Sequence, residues 1–414
     1  MSVTDESRDT TLRTDEQGAA ISTAAGGWAD VVARLRHGDL SVLPVAITLV
    51  IIWIVFYALN PVFVSPRNIS FLFLQIAVIG TIALGVLFVL LIGEIDLSIA
   101  VVAGVCAATV GVLVARQGWE PLPAMLLALA IGVLIGAFQG FFVAVVRVPS
   151  FVVTLAGLLG LQGAMLLILG RAGSVSVTDP LIRSLATTYL PQSIGWGLAA
   201  VIVAVVALTQ VRQGLRRAAA GLTPPHLSRV AVRIALVALL VGFVVALLNA
   251  YRGIPLPSAI LVSLVALFAY ICKRMRFGRS LYAIGGNAEA ARRAGIEVAT
   301  VRIAAFALCS LLCAFAGIIG AARFASVSYV AFAGGPLLLE SIAAAVIGGA
   351  TIFGGRGTPW GVLLGALVMG SLSNGLDLMQ AGTGTKLVVA GVILLLAVTG
   401  DAVSQRSRLA TGTR

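Results

Sequence analysis

Charge is scarce in this chain of 414 residues: only 11% are Asp, Glu, Lys or Arg, against roughly 25% in soluble domains. A soluble domain of this size could not keep its surface polar with so few charges. The 60% apolar content likewise excludes a disordered chain. Histidine is scarcer still: His37 and His226 are the only two, both in basic loops. An H-E-x-x-H pair, a Cys/His cluster, a G-x-S-x-G elbow and a G-x-x-x-x-G-K-[ST] loop are all missing, so an intramembrane enzyme would have no nucleophile–base or metal set and ATP no P-loop. The four cysteines, Cys106, Cys272, Cys309 and Cys313, sit in or beside apolar runs and read as packing residues rather than a disulfide framework. Cys309 and Cys313 share a helix face, but the local sequence offers no His or carboxylate to complete a metal site.

What is there instead is a series of apolar runs, at about 42–59, 71–92, 98–115, 123–146, 150–169, 195–211, 234–250, 256–272, 303–322, 340–353, 360–376 and 386–399. A bilayer core about 30 Å thick takes roughly 20 helical residues to cross. The runs are too long and too continuous for barrel strands, so the expected fold is an all-α, polytopic transmembrane bundle of about twelve segments. The run at 340–353 is short, ends in Gly354-Gly355-Arg356-Gly357 and reads as a possible half-helix. That turn lacks the lysine of a phosphate loop, and a tight connection between helices explains it better. Residues 1–40, with Asp5, Glu6, Asp9, Asp15 and Glu16, read as a disordered cytoplasmic tail whose acidic start argues against a cleaved leader. Residues 41–404 form the membrane domain and 405–414 a second cytoplasmic tail.

Lys and Arg set the orientation. With the N-terminus inside and alternating runs, the inside loops from Arg34 onward hold 19 basic residues and the outside loops 7. Both termini are therefore expected in the cytoplasm, in contact with a lipid bilayer, and the net charge of +12 needs no nucleic acid to explain it. Two inside segments stand out, a basic connector at 212–233 and a long loop at 273–302. The second carries its own helix signals: Asn287 as N-cap, helix formers from Ala288 to Ala294, and Gly295 as C-cap. Such a helix is too short to persist alone in water and must dock against something. Gly285-Gly286 and Gly295 would allow the sharp turns at its ends. Ala290 and Ala291 would permit close approach, and Glu289, Arg292 and Arg293 could pair across an interface.

Ionisable groups between apolar runs each need a reason, since a charge at mid-bilayer costs about 2.5–3.5 kcal/mol. Glu94, Asp96 and Ser98 lie in Gly93-Glu94-Ile95-Asp96-Leu97-Ser98. Two readings stand open: a cytoplasmic turn with Asp96 or Ser98 capping the next helix, or a broken helix whose carboxylates face the interior and affect gating. Glu340 reads as capping its span and Asp377 as interfacial. Gln75, Thr154, Gln162, Ser371, Ser373 and Asn374 lie in apolar runs, where helix–helix hydrogen bonding is the default. As pathway candidates they suit a neutral, hydroxyl-rich solute better than an ion. Gly132, Gly136 and Gly140, and again Gly361 and Gly365, make small-residue faces that fit either an internal contact or a dimer.

The stretch RFGRSLYAIGGNAEAARRAGI at 276–296 resembles the coupling-loop signature of sugar permeases in ATP-binding-cassette (ABC) importers of the ribose/xylose/galactose group. FALCSLLCAFAGIIGAARFAS and ESIAAAVIGGATIFGGRGTPWGVLLGALVMGSLSNGLDLM fit the same group. GEIDLS at 93–98, VPSFVVTLAGLLGLQG at 148–163, YRGIPLP at 251–257 and the extra pair of spans at about 195–250 look like its xylose-type members. The resemblance spans about 42–404 and leaves the acidic tail without a role. It implies a ten-helix permease core plus an extra pair, in the inner membrane, with 285–295 as the ATPase-coupling helix. It further implies a separate ATPase subunit holding ATP and Mg, no cofactor on this chain, an extracytoplasmic sugar-binding protein, a second permease copy as a homodimer, and D-xylose as the first substrate to consider. The alternative is a self-contained twelve-helix sugar transporter driven by an ion gradient, for which a half-to-half repeat and membrane carboxylates would be expected.

Overall fold

The computed structural model describes residues 42–222, 227–333 and 335–393, with 395 and 399. The tails at 1–40 and 405–414 and the Pro224-Pro225-His226 part of the connector lie outside the described residues. Each apolar run is mainly helical where described, except that 348–353 of the tenth run is a turn. The helices are α1 (Val42–Leu59), α2 (Pro66–Leu91), α3 (Ile99–Gln117), α4 (Pro121–Phe141), α5 (Ser150–Leu169), α6 (Pro180–Thr187), α7 (Gln192–Ala219) and α8 (Leu227–Asn249). They continue as α9 (Leu256–Arg274), α10 (Arg276–Gly286), α11 (Ala288–Arg293), α12 (Val298–Phe324), α13 (Tyr329–Ala333), α14 (Pro336–Ile347), α15 (Pro359–Leu378) and α16 (Thr383–Ile393).

Ten of these are long and apolar enough to cross a membrane among the described residues, with α13 and α14 counted as one span; the 45–59 part of α1 and α16 are shorter. Against the expected count of about twelve, the described residues thus show ten helices of full length and two that fall short of it. The run at 340–353 is also redrawn. Its helix begins at Pro336 and stops at Ile347, and 348–358 turns back on itself through Gly349, Gly354, Gly355 and Gly357, all at positive φ. Among the described residues the bundle is otherwise all-α, with only two short antiparallel pairings, β1 (Ser174–Ser176) to β4 (Ser326–Ser328) and β2 (Tyr189–Leu190) to β3 (Ile254–Pro255).

Contacts between connections sort the molecule into two ends. The turns at 92–98 and 348–358 meet the α10 region, since Gly355 N–H donates to the Leu91 carbonyl and the Tyr282 hydroxyl to the Gly357 carbonyl. Both strand pairings lie at the opposite end. This is the sorting that strict alternation of spans requires. It also brings Arg274, Arg276, Arg279, Arg292, Arg293 and Arg302 to one end, the basic end.

Helix α2 is the axis, its most apolar stretch buried throughout and packed by α9, α12, α14 and α15. In a bilayer, apolar side chains gain little by leaving lipid, so tight van der Waals contact must hold helices together. The glycine faces provide it. A Cβ at Gly136 would lie 2.3 Å from the Phe306 carbonyl oxygen, and one at Gly132 would lie 2.6 Å from Ala314 Cβ. Gly361 and Gly365 meet the carbonyls of Gly348 and Ala344 in the same way. Both stripes are internal contacts, α4 on α12 and α15 on α14. Helices α7 and α8, the extra pair, form a hairpin at the periphery, where few residues beyond Gly195 and Ala199 of α7 are buried.

Replacement of Gly136 by Leu is expected to lower the melting temperature of the detergent-purified protein by several degrees or abolish its monodisperse form, because backbone stands in the way. Gly197→Leu, where nothing lies within 4 Å, is the comparison and should melt as the unaltered chain does.

Candidate functional site

The turn at 92–98 ends α2 and starts α3, and every side of it is tied down. Asp96 is 4% exposed, and its Oδ1 accepts from the Ser98 N–H (2.8 Å) and the Ser98 hydroxyl (2.7 Å). Ser98 immediately precedes α3, and Asp96 braces that residue, but the Ser98 side chain caps no first-turn amide of α3. The carboxylate nevertheless faces the interior, as the second reading expects, with Cys309 Sγ of α12 4.0 Å from its Oδ2. Gln139 of α4, 3% exposed, donates from Nε2 to Ser98 Oγ (2.9 Å). The chain Gln139–Ser98–Asp96 thus joins α4 to the turn. Gly157 of α5 makes room for it, since a Cβ there would lie 2.4 Å from Gln139 Nε2.

Helix α5 holds the turn from another side. Ser150 Oγ accepts from the Ile95 N–H (3.3 Å), and Thr154, fully buried, donates to the carbonyls of Ser150 (2.9 Å) and Ile95 (3.3 Å). Glu94 reaches outward to Arg302 of α12, 3.3 Å away. A cleft of about 760 Å³ opens beside this pair, lined in part by Arg147, Arg292 and Glu297.

The long loop at 273–302 holds two helices, where one was expected. Helix α10 occupies 276–286, so Gly285 and Gly286 end a helix instead of forming a turn. Gly285 is needed for proximity: a Cβ there would lie 1.8 Å from the Leu91 carbonyl oxygen. Asn287 is the N-cap of α11, accepting from the Ala290 N–H (2.9 Å), and Gly295 beyond its end has φ +83°. The helix covers 288–293. Glu289, Ala290, Arg292 and Arg293 are exposed, and Glu289 pairs with Arg292 (2.9 Å) and Arg293 (3.3 Å) of its own helix. Ala291, grouped with Ala290 in the sequence reading, is 4% exposed and faces its own chain.

The other pathway candidates do not gather at this turn. Gln75 is buried within α2, and Gln162 of α5 donates to the Ala333 carbonyl (3.4 Å). Asn374 and Asn68 exchange amide hydrogen bonds (2.7 and 3.2 Å) near the end opposite the basic one. Ser371 accepts from Trp53 Nε1. Glu340 lies inside α14 and accepts from Ser373, so it does not cap its span. Asp377 pairs with Lys386. Sequence reasoning missed Gln139, Ser150, Arg302 and the Cys309–Asp96 contact. Gln139 carried the same signal as Gln75 and Gln162, a polar residue in an apolar run. Among the described residues no group of three His, Cys, Asp or Glu could hold a metal.

A membrane-long helical bundle with a sealed polar turn at its basic end and an exposed short helix beside it defines the class: an integral membrane permease. Residues 68–398 match the family described as branched-chain amino acid transport system / permease component, and the chain belongs to that family. It is 38% identical to the xylose transport system permease protein XylH of Escherichia coli (strain K12), over 94% of this chain and 97% of that one. It is 36% identical to XylH of Haemophilus influenzae, over 88% and 97%. The ribose import permease protein RbsC of Bacillus subtilis is 30% identical, over 85% and 90%. No solved structure matches the chain. The chain is a transport permease, not an enzyme.

Burial pushes the Asp96 carboxyl up from its ordinary value, against the hydrogen bonds from Ser98 that lower it. Its folded pKa then exceeds the unfolded one, and stability falls as pH rises through the folded value. Asp96→Asn keeps an Oδ1 acceptor and sheds the charge. It should melt no lower than the unaltered chain near neutral pH, with any advantage shrinking as the pH is lowered. Its solute uptake, at equal membrane abundance, should nonetheless fall below that of Glu120→Gln, which changes an exposed loop. A lower melting temperature, or uptake equal to Glu120→Gln, would leave the carboxylate a plain structural cap.

Proposed function

We propose that this chain is the membrane subunit of an ATP-binding-cassette importer that carries a neutral monosaccharide, D-xylose first, across the inner membrane. The observation that carries the reading is the full-length similarity to permeases named for xylose and ribose transport, joined to an exposed α11 held at the basic end. ATP and Mg belong to a separate ATPase subunit, which α11 meets through Ala290 and its charged neighbours, and this chain binds no cofactor. An extracytoplasmic binding protein presents the sugar at the opposite end. A second copy of the chain completes the pathway. The mostly exposed α5 supports that placement, with Leu159 and Leu167 outward and open space at Gly160 and Gly163.

The arrangement assigns roles without chemistry on the sugar. Polar groups in the spans are hydroxyls and amides with few carboxylates, which suits hydrogen bonding to a neutral solute. The 19-to-7 distribution of basic residues supports an orientation with the α11 end and both termini in the cytoplasm. Reporter fusions after Arg217 and after Arg293 should both read cytoplasmic, and an extracellular signal from either would reverse the orientation.

Because Ala291 faces inward and Ala290 outward, the two separate docking from folding. Ala290→Trp should leave the purified permease intact and reduce capture of the ATPase and xylose uptake together, by about tenfold or more. Ala291→Trp should instead lower permease abundance. Measured by ATPase pull-down and radiolabelled xylose uptake at matched abundance, full capture and full uptake by Ala290→Trp would sink the docking assignment and favour the gradient-driven alternative.

A further inference from the structure

The loop that carries α11 meets the end of α2 and the adjoining turn at 92–98 in two chemically different ways. One contact is backbone on backbone, Gly285 against Leu91 and Gly355. Such a contact resists compression and offers little against separation. The other is the ion pair between Glu94 and Arg302. Among the described residues it is the one ion pair that joins distant segments at the basic end, since the pairs of Glu289 are local to α11. Its groups are half-buried or better, with side chains 15% and 26% exposed, so it is screened less than a surface pair. Arg302 Nε is buried without a partner, which leaves Glu94 as the partner that fixes this side chain.

Each end of the pair is attached to a stiff element. On one side, Gly295 N–H donates to the Arg292 carbonyl (3.0 Å) and Ile296 N–H to the Ala291 carbonyl (3.1 Å), closing the corner between α11 and α12. Arg302 follows in the first turns of α12. On the other side, Glu94 N–H donates to the Val89 carbonyl (3.1 Å), and two residues on begins the Asp96–Ser98–Gln139 chain. The cleft of about 760 Å³ beside the pair leaves space for these elements to move relative to each other.

We propose that the Glu94–Arg302 ion pair is the tension-bearing link through which displacement of α11 pulls on the 93–98 turn, making both residues positioning residues for transport. The proposal rests on the importer reading above. Without the pair, α11 could still dock and the ATPase could still turn over, but outward movement of α11 would no longer carry the turn with it.

The test uses the permease co-expressed with its ATPase subunit and reconstituted in proteoliposomes with the binding protein and xylose. Capture of the ATPase, ATP hydrolysis and xylose uptake are measured for Glu94→Gln, Arg302→Gln and the exchanged pair Glu94→Arg with Arg302→Glu. Uptake is normalised to monodisperse permease, so a poorly folded variant is not scored as uncoupled. The single variants should capture the ATPase fully and hydrolyse ATP, while uptake per ATP falls by about tenfold, as expected for a partly buried charge left alone. The exchanged pair should recover uptake per ATP to within a few-fold of the unaltered chain. Unchanged uptake per ATP in the single variants would overturn the proposal. So would an exchanged pair no better than the singles, or ATPase capture lost in step with uptake. Failure of the unaltered chain to capture the ATPase would instead bring down the importer reading, and the link with it.

Discussion

Two unwound turns meet at the basic end, and the rest of that end is arranged to make the meeting affordable. Gly355 N–H donates to the carbonyl of Leu91, one of the carbonyls that α2 leaves without an intrahelical partner at its C-terminus. Gly354 comes so near Gly93 that a Cβ on it would lie 2.9 Å from the Gly93 nitrogen. Gly285 closes the third side. A broken helix in a membrane protein is tolerated only where its freed polar groups are met by protein or lie in a watered cavity. Here they are met by protein, and glycine at each contact is what lets backbone reach backbone. The buried Asp96 follows from this. At the buried start of α3, the Asp96 carboxylate accepts twice from Ser98.

The same logic of close approach governs the bundle. Helix α12 is gripped by the α4 glycines on one side. On another, Gly317 of α12 lies against Ala103, where a Cβ would be 2.1 Å from the carbonyl oxygen. Gly85 of α2 meets the Cys309 carbonyl in like fashion. Helices α2, α3, α4 and α12 therefore form a unit whose spacing is set by backbone contact. Among the described residues the α7–α8 hairpin has few such contacts beyond the pairing of the strands that flank it, at the end opposite the basic one, and its exposed Leu, Val and Phe suit lipid. Movement between conformations would be cheaper at this periphery, and at α5 with its open glycines, than inside the gripped unit.

Much of this was legible in the chain. The apolar runs located the membrane helices, with ends off by as many as eight residues, because length and hydropathy are what a bilayer demands. Asn287 and Gly295 marked the limits of α11 because capping is local chemistry. The misreadings share a different cause. Gly285-Gly286 looked like a hinge, although Gly285 is there for a neighbour some 190 residues earlier in the chain. Ala290 and Ala291 looked equivalent, although the turn of about 100° between neighbours in a helix leaves Ala290 exposed and Ala291 buried. Glu340 looked like a cap because its helix start, Pro336, was placed too late. Gln139 was passed over although it is a polar residue in an apolar run, and Arg302 because nothing local distinguishes it; the partners of both lie in the distant 92–98 turn.

The distribution of charge bears on how such a molecule can be driven. Within the described residues the long-range ionic contact at the basic end is Glu94 with Arg302, and at the other end Asp377 pairs with Lys386 beside Glu340. The buried middle of α2, α3 and α12 between them carries serine, threonine, cysteine and glutamine, with no Asp, Glu, Lys or Arg between Arg67 and Leu91 or between Ile303 and Ala322. A carrier that couples to protons or sodium places its ion-binding carboxylates near mid-depth, where occupancy can be felt from both faces. In this bundle the charges stand at the two ends, where they can link elements that move, while the core that a coupling ion would have to visit is neutral. On the importer reading proposed above, the driving force arrives mechanically at an end, and the exposed helix beside the 92–98 turn is where it would be applied.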